Sequence, residues 1–178
     1  MGKIQSDSSR QATPANSIGE KYHVQRPTDR HFRSAAHGDD LQPLQHAEAI
    51  AGRGLVGDRY FLKEGTFSGK DGPDREITLI EIEALEGLAR EYKVTLQPAQ
   101  ARRNLLTRGV PLNHLVGRDF SIGPVVLRGI RLCEPCGHLE KLTCKGVQPG
   151  LIHRGGLRAQ VLEGGVLQVG AAITPRSE

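Results

Sequence analysis

The chain has 178 residues, 37% hydrophobic, 25% charged and only 4% aromatic, a length that suits one domain with a real core. No apolar run approaches the roughly 18 residues of a membrane span, and the polar N-terminus has no apolar signal-peptide region. Three cysteines are too few for a disulfide framework, so the expectation is a soluble cytoplasmic protein.

In chain order, residues 1–20 are polar and aperiodic and read as a flexible tail, leaving 21–178 as a single domain. Tyr22-His23-Val24 could form a short strand. Clear order begins at the glycine-punctuated segment 51–61, which ends in a possible strand at Tyr60-Phe61. Ile77-Thr78-Leu79-Ile80 has the β-branched apolar run of a buried strand. Ile82, Leu85, Leu88, Ala89 and Tyr92 then recur at helical spacing, predicting an amphipathic helix over 81–92. Pro98 opens a short helical turn, and Arg103-Asn104-Leu105-Leu106-Thr107 returns to extended structure. Residues 111–117 form a compact turn region. Phe120-Ser121-Ile122 and Val125-Val126-Leu127 are strands around a Gly123-Pro124 corner, and 157–162 with 166–169 around Gly164-Gly165 read as a hairpin. Many short strands, glycine corners and one or two helices predict a mainly β, barrel-like fold with helical decoration.

Charge is uneven along the chain. Residues 101–178 carry eleven Lys and Arg against five Asp and Glu, whereas the first hundred carry thirteen against fifteen. A basic half can face a phosphate, a pyrophosphate or nucleic acid, or it can be a solvated surface. Nucleic acid is the weaker candidate, because the seven aromatics are not interleaved with the basic residues and no DNA-binding motif is visible.

Chemistry concentrates at Arg131-Leu132-Cys133-Glu134-Pro135-Cys136-Gly137-His138. Cysteine acts as nucleophile or metal ligand as the thiolate, so a working site must supply positive charge or helix-terminal N–H groups. Arg131 and His138 are near in sequence, and a helix starting after Cys136 would put its sulfur at the positive end. Three uses remain open. Cys133, Cys136 and Cys144, with His138 or His153, could hold zinc in a non-catalytic interaction module. The Cys-x-x-Cys could be a dithiol, although no thioredoxin-like βαβ pattern surrounds it. One cysteine could act alone as sulfur carrier, nucleophile or ligand to a bound cofactor. Haem attachment is excluded, since Gly137 stands where histidine must follow the second cysteine. Buried inert cysteines are the plain alternative, which a Pro-Cys-Gly corner disfavours.

The order and spacing of Gly57-Asp58-Arg59-Tyr60, Glu76-Ile77-Thr78-Leu79-Ile80-Glu81, Arg102-Arg103-Asn104-Leu105, Leu132-Cys133-Glu134-Pro135-Cys136 and Gly155-Gly156-Leu157-Arg158-Ala159 resemble the MOSC domain, the C-terminal domain of molybdenum cofactor sulfurases, in its small stand-alone bacterial form. The resemblance implies a β-barrel similar to that of pyruvate kinase and one functional cysteine, matched by Cys136. That cysteine would carry sulfur as a persulfide or ligate molybdenum in a bound molybdopterin, in a reductase of N-hydroxylated compounds. A cysteine desulfurase or a redox protein would be its partner; pyridoxal phosphate enters only through the family's association with desulfurase modules. Arg59, Asn104 and Arg158 match family positions. With Arg102 and Arg103 they have the chemistry to grip a phosphate and a polar pterin, while a surface or strand-capping role remains open for each arginine. His153 could tune the thiol. Two departures stand out: Gly170-Ala171 replaces the family's Gly-Asp, and no apolar first strand is recognisable before His46.

Overall fold

The computed structural model describes residues 26–33, 42–65, 69 and 72–176. The expected tail over 1–20 and the possible strand at Tyr22-His23-Val24 lie outside the described residues.

Eight strands form one curled sheet: β1 (Arg26–Arg33), β2 (Gln42–Leu44), β5 (Ile77–Glu81), β6 (Leu105–Thr107), β7 (Asp119–Ile122), β8 (Val125–Leu132), β9 (Leu157–Glu163) and β11 (Ala172–Pro175). Their order is β11-β7-β8-β9-β5-β6-β1-β2, and β1 also pairs with β11 through Arg26–Ile173 and Pro27–Ala172, which closes the curl into a ring. β3 (His46–Ile50), β4 (Gly54–Leu55) and β10 (Gly165–Gln168) make a separate antiparallel sheet in the order β10-β3-β4. The fold is mainly β and barrel-like, as expected.

Strand alternation builds two apolar layers. Ile77, Leu79, Leu105, Phe120, Ile122 and Leu127 point into the barrel. Ile80 and Leu106, on the opposite face, pack under α1 (Ile82–Tyr92), α2 (Gly137–Leu142) and α3 (Val147–Gly150), against Leu85, Leu88, Leu139 and Leu151. The helix at 82–92 follows its apolar spacing, and β5 and β6, joined through α1, form a parallel pair. The Pro98 and Leu112 turns are single 3-10 turns, Pro98–Ala101 and Leu112–Leu115.

Three expectations change. A first strand exists: Arg26–Arg33 pairs with β6, β2 and β11 despite its polar sequence, because it completes three existing edges. The segment at Tyr60-Phe61 is turn, with Asp58 Oδ1 accepting the Tyr60 N–H at 3.0 Å. Finally, β9 and β10 are both strands but not a hairpin: β9 pairs with β8 and β5, β10 with β3. The cause is a corner at Gly164-Gly165. A Cβ on Gly164 would lie 2.6 Å from the Ala49 carbonyl oxygen, and Gly165 has φ 155°, so only glycine lets the chain leave the barrel there. At Gly170-Ala171 the Ala171 N–H closes a turn onto the Gln168 carbonyl, and β11 forms directly after it.

Candidate functional site

The Cys133-Cys136 segment leaves β8 and enters α2, with Cys136 as the helix N-cap and its carbonyl accepting the Glu140 N–H. This is the expected position, although α2 has only six residues. The stretch is pressed onto the start of β9. Cys133 N–H donates to the Gly156 carbonyl at 2.7 Å, and a Cβ on Gly155 would stand 2.5 Å from the Cys133 carbonyl oxygen.

Arg103 locks this arrangement. Its buried guanidinium donates from Nε to the Gly155 carbonyl, from Nη1 to that of Ala101 and from Nη2 to that of Cys133, at 2.9 to 3.0 Å. Asn104 is a second buried knot. Its Oδ1 accepts from the Thr78 N–H and hydroxyl, and its Nδ2 donates to Asp58 Oδ2, tying the 57–60 loop to β5 and β6. That loop presents Arg59, whose guanidinium lies 5.2 Å from the Tyr60 ring centroid. Opposite, Arg158 on β9 donates from Nη1 to the Asp74 carbonyl. The Asp74 carboxylate takes both Nε and Nη2 of Arg131, at 2.8 and 2.6 Å. Burial opposes ionisation of Asp74, but the Arg131 hydrogen bond and the charges of Arg131, Arg158 and Arg75 outweigh it and hold its carboxyl below the ordinary value. Arg131 is therefore committed to Asp74, away from the role beside the thiol that its sequence position suggested.

These pieces enclose a cavity of about 70 Å³. Arg59, Arg102, Arg103 and Arg158 line it together with Cys133 and Cys136. Tyr60, Thr78, Glu134, His138 and Leu139 complete the wall; Asn104 is not part of the lining and holds Thr78 through its Oδ1. The spacing of Arg59, Arg102-Arg103, Cys136 and Arg158 along the chain thus folds into one place. Arg59 Nη1 and Arg158 Nε are buried without a hydrogen-bond partner. Two arginines with an unsatisfied buried donor each, lining one cavity, fit an anionic group, and a thiol on the same wall fits a soft metal or a transferable sulfur. Among the described residues, no lysine lines the cavity.

The three thiols differ in exposure. Cys133 is buried; Cys136 and Cys144 are exposed. No turn or bend folds residues 133–136, and Cys144 lies beyond the far end of α2. Among the described residues, no three His, Cys, Asp or Glu side chains are grouped to hold a metal ion, which counts against the zinc module. His153 serves Glu134 rather than a thiol: its N–H donates to Glu134 Oε2 and its Nδ1 lies 3.0 Å from Oε1. Burial raises the Glu134 pKa, but the two His153 hydrogen bonds and the histidine's charge bring it below its usual value. Sequence reasoning missed Tyr60, Thr78 and Asp74. Tyr60 and Thr78 stood inside segments that carry the family resemblance, whereas Asp74 carried no signal.

A sequence profile of the MOSC domain matches residues 65–174. The chain belongs to the MOSC domain family. This family is associated with molybdenum-cofactor-binding proteins. Comparison with curated protein sequences finds no match. Among solved structures, the MOSC chain is similar to the YuaD protein from Bacillus subtilis, at 15% identity and a TM-score of 0.74, covering 88% of this chain and 98% of that one. It is also similar to YiiM from Escherichia coli, at 20% identity and a TM-score of 0.64, covering 87% and 71%. At these identities the likeness shows the MOSC chain's fold. Among the described residues, no helix is long and apolar enough to cross a membrane.

Proposed function

We propose that this chain binds a molybdenum–pterin cofactor across the mouth of the Cys136 cavity, whose roughly 70 Å³ admits one end of it, with Cys136 as the sulfur ligand to the metal, and reduces N-hydroxylated compounds. The observation that carries the reading is the pair of arginines, Arg59 and Arg158, that line the cavity with Cys136 and each keep a buried donor, Nη1 and Nε, without a partner. Buried polar donors without acceptors are costly, and an anionic ligand removes the cost. Arg59 and Arg158 would hold the cofactor's phosphate, and Arg102 adds positive charge on the same wall. Arg103 and Asn104 keep the walls in register through bonds to backbone and to Asp58. The bound group would supply two-electron redox chemistry at its metal, and a redox protein would deliver the electrons. A second reading, in which Cys136 carries a persulfide loaded by a cysteine desulfurase, is favoured by one observation: the thiol is exposed and open to a partner protein.

The test is anaerobic reconstitution with molybdenum cofactor, followed by measurement of molybdenum and of the fluorescent pterin released on oxidation. Wild type should retain both. Cys136→Ser should retain less molybdenum, and an Arg59→Ala/Arg158→Ala double variant should lose the pterin. Equal retention by wild type and the double variant would refute the reading. A mass increase of one sulfur atom on Cys136, without pterin binding, would establish the carrier instead.

A further inference from the structure

Arg131 and Arg158 stand directly opposite each other where β8 pairs with β9. Like charges in that relation repel, and a carboxylate that reaches both relieves the repulsion. The carboxylate comes from Asp74, in the Pro73–Arg75 turn, which packs against both strands.

Asp74 treats the two arginines differently. Its Oδ2 accepts from Nε and Nη2 of Arg131, whereas Arg158 is given the backbone carbonyl, through Nη1 at 3.0 Å. Arg158 therefore keeps a buried Nε without a partner and lines the cavity with Arg59 and Cys136. Arg131 is not part of that lining, and its side chain is 53% exposed, so water can solvate its charge. The Asp74 side chain is only 18% exposed and depends on a cation instead. Two cations remain near it besides Arg131. Arg75 Nε lies 3.9 Å from Oδ1, but the charge of Arg158 acts on the carboxylate more strongly than that of Arg75. Without Arg131, the freed Oδ2 would turn to Arg158, whose guanidinium already touches the same residue.

We infer that Arg131 is a positioning residue for the anion site: by occupying the Asp74 carboxylate it keeps Arg158 from pairing there and leaves that guanidinium to an anionic group in the Cys136 cavity. Arg158 has two competing partners, an internal carboxylate and the ligand, and Arg131 decides between them without touching the ligand. The inference rests on the anion-binding role proposed above for Arg158, and it can be measured without any cofactor.

The experiment titrates inorganic phosphate into the full chain, in phosphate-free buffer, and reads binding from the phosphorus NMR linewidth. Wild type should bind, and the Arg59→Ala/Arg158→Ala double variant should not. Arg131→Gln should weaken binding about tenfold or more, the equivalent of one lost hydrogen bond between charged groups. It should melt within about 3 °C of wild type, because a half-exposed ion pair adds little stability. Adding Asp74→Asn to Arg131→Gln should restore the affinity to within about twofold of wild type, since the amide no longer competes for Arg158. A loss caused by a loosened turn would instead deepen with that second substitution. Arg75→Gln, which removes the same unit of charge beside the same carboxylate, should change the affinity less than about threefold.

Wild-type affinity in Arg131→Gln, no recovery on adding Asp74→Asn, an equal loss in Arg75→Gln, or no phosphate binding by wild type would each overturn the inference. Pterin lost only from Arg59→Ala/Arg158→Ala, with phosphate binding indifferent to Arg131→Gln, would overturn it while leaving the cofactor reading intact. Failure of wild type to retain pterin, with the phosphate series as expected, would fault the cofactor reading alone.

Discussion

Arg103 and Arg158 line the same cavity, yet their truncation should have opposite consequences. Arg103 is 7% exposed and gives three of its five N–H groups to the carbonyls of Gly155, Ala101 and Cys133. Hydrogen bonds from a charged donor are worth about 1.5–3 kcal/mol each, and their loss is not additive once water enters the space. Breaking a buried charged network usually costs about 3–5 kcal/mol, and that is the loss expected for Arg103→Ala. At about 2–4 °C per kcal/mol for a domain of this size, its melting temperature should fall by about 10 °C. Arg158 donates from Nη1 to the Asp74 carbonyl and keeps a buried Nε without a partner. Removing it discards an unfavourable donor along with a favourable bond, so Arg158→Ala should cost less than about 1 kcal/mol. Urea unfolding of both variants, with far-ultraviolet circular dichroism as the probe, measures the difference. A loss below about 1 kcal/mol for Arg103→Ala, or equal losses for the two, would refute the division into wall and ligand arginines.

Two further outcomes are expected. Cys144→Ser should melt within about 2 °C of wild type, and a chelator should leave the wild-type melting curve unchanged; unfolding in either case would restore the zinc module. Two carboxylates should show opposite pH signatures. Burial raises the Glu76 pKa above 4.5 despite hydrogen bonds from Val161 and Gly52, so its stabilising share is present below 4.5 and lost as pH rises through the folded value. Glu76→Gln should abolish that loss. The Asp74 pKa is lowered below 3.8, so its share is present above 3.8 and lost as pH falls through the folded value. Asp74→Asn should be less stable at neutral pH and match wild type in strong acid, as read from unfolding midpoints across pH.

The local elements were legible where spacing alone decides them. The 77–80 run, the helix behind it and the 120–127 pair around Gly123-Pro124 follow from periodicity and turn chemistry. β1 was hidden because Arg-Pro-Thr-Asp-Arg-His-Phe-Arg has no alternating pattern; neighbouring edges make it a strand. The false hairpin had suitable strands and a glycine turn, but its pairing depended on β3, more than a hundred residues earlier. At the site, residue types pointed to a thiol with arginines, and the fold brings those positions together. What each arginine does was invisible, because it depends on distant carbonyls: Arg103 reaches Gly155, and Arg158 reaches Asp74 across 84 positions.

The ring closure between β1 and β11 sets the order in which the molecule can assemble. Residues 26 and 173 must meet before the curl closes, and the small sheet waits for β10 to reach β3. Contacts this distant in sequence carry a loop-closure cost before they give any return, so such topologies fold slowly. β3 and β4 lead directly into the 57–60 loop that presents Arg59 and Tyr60. Cys136 emerges during synthesis before β9, β10 and β11 exist, with no cavity around it. Of the residues that line the site only Arg158 follows the thiol segment and α2, so the wall is incomplete until β9 is in place.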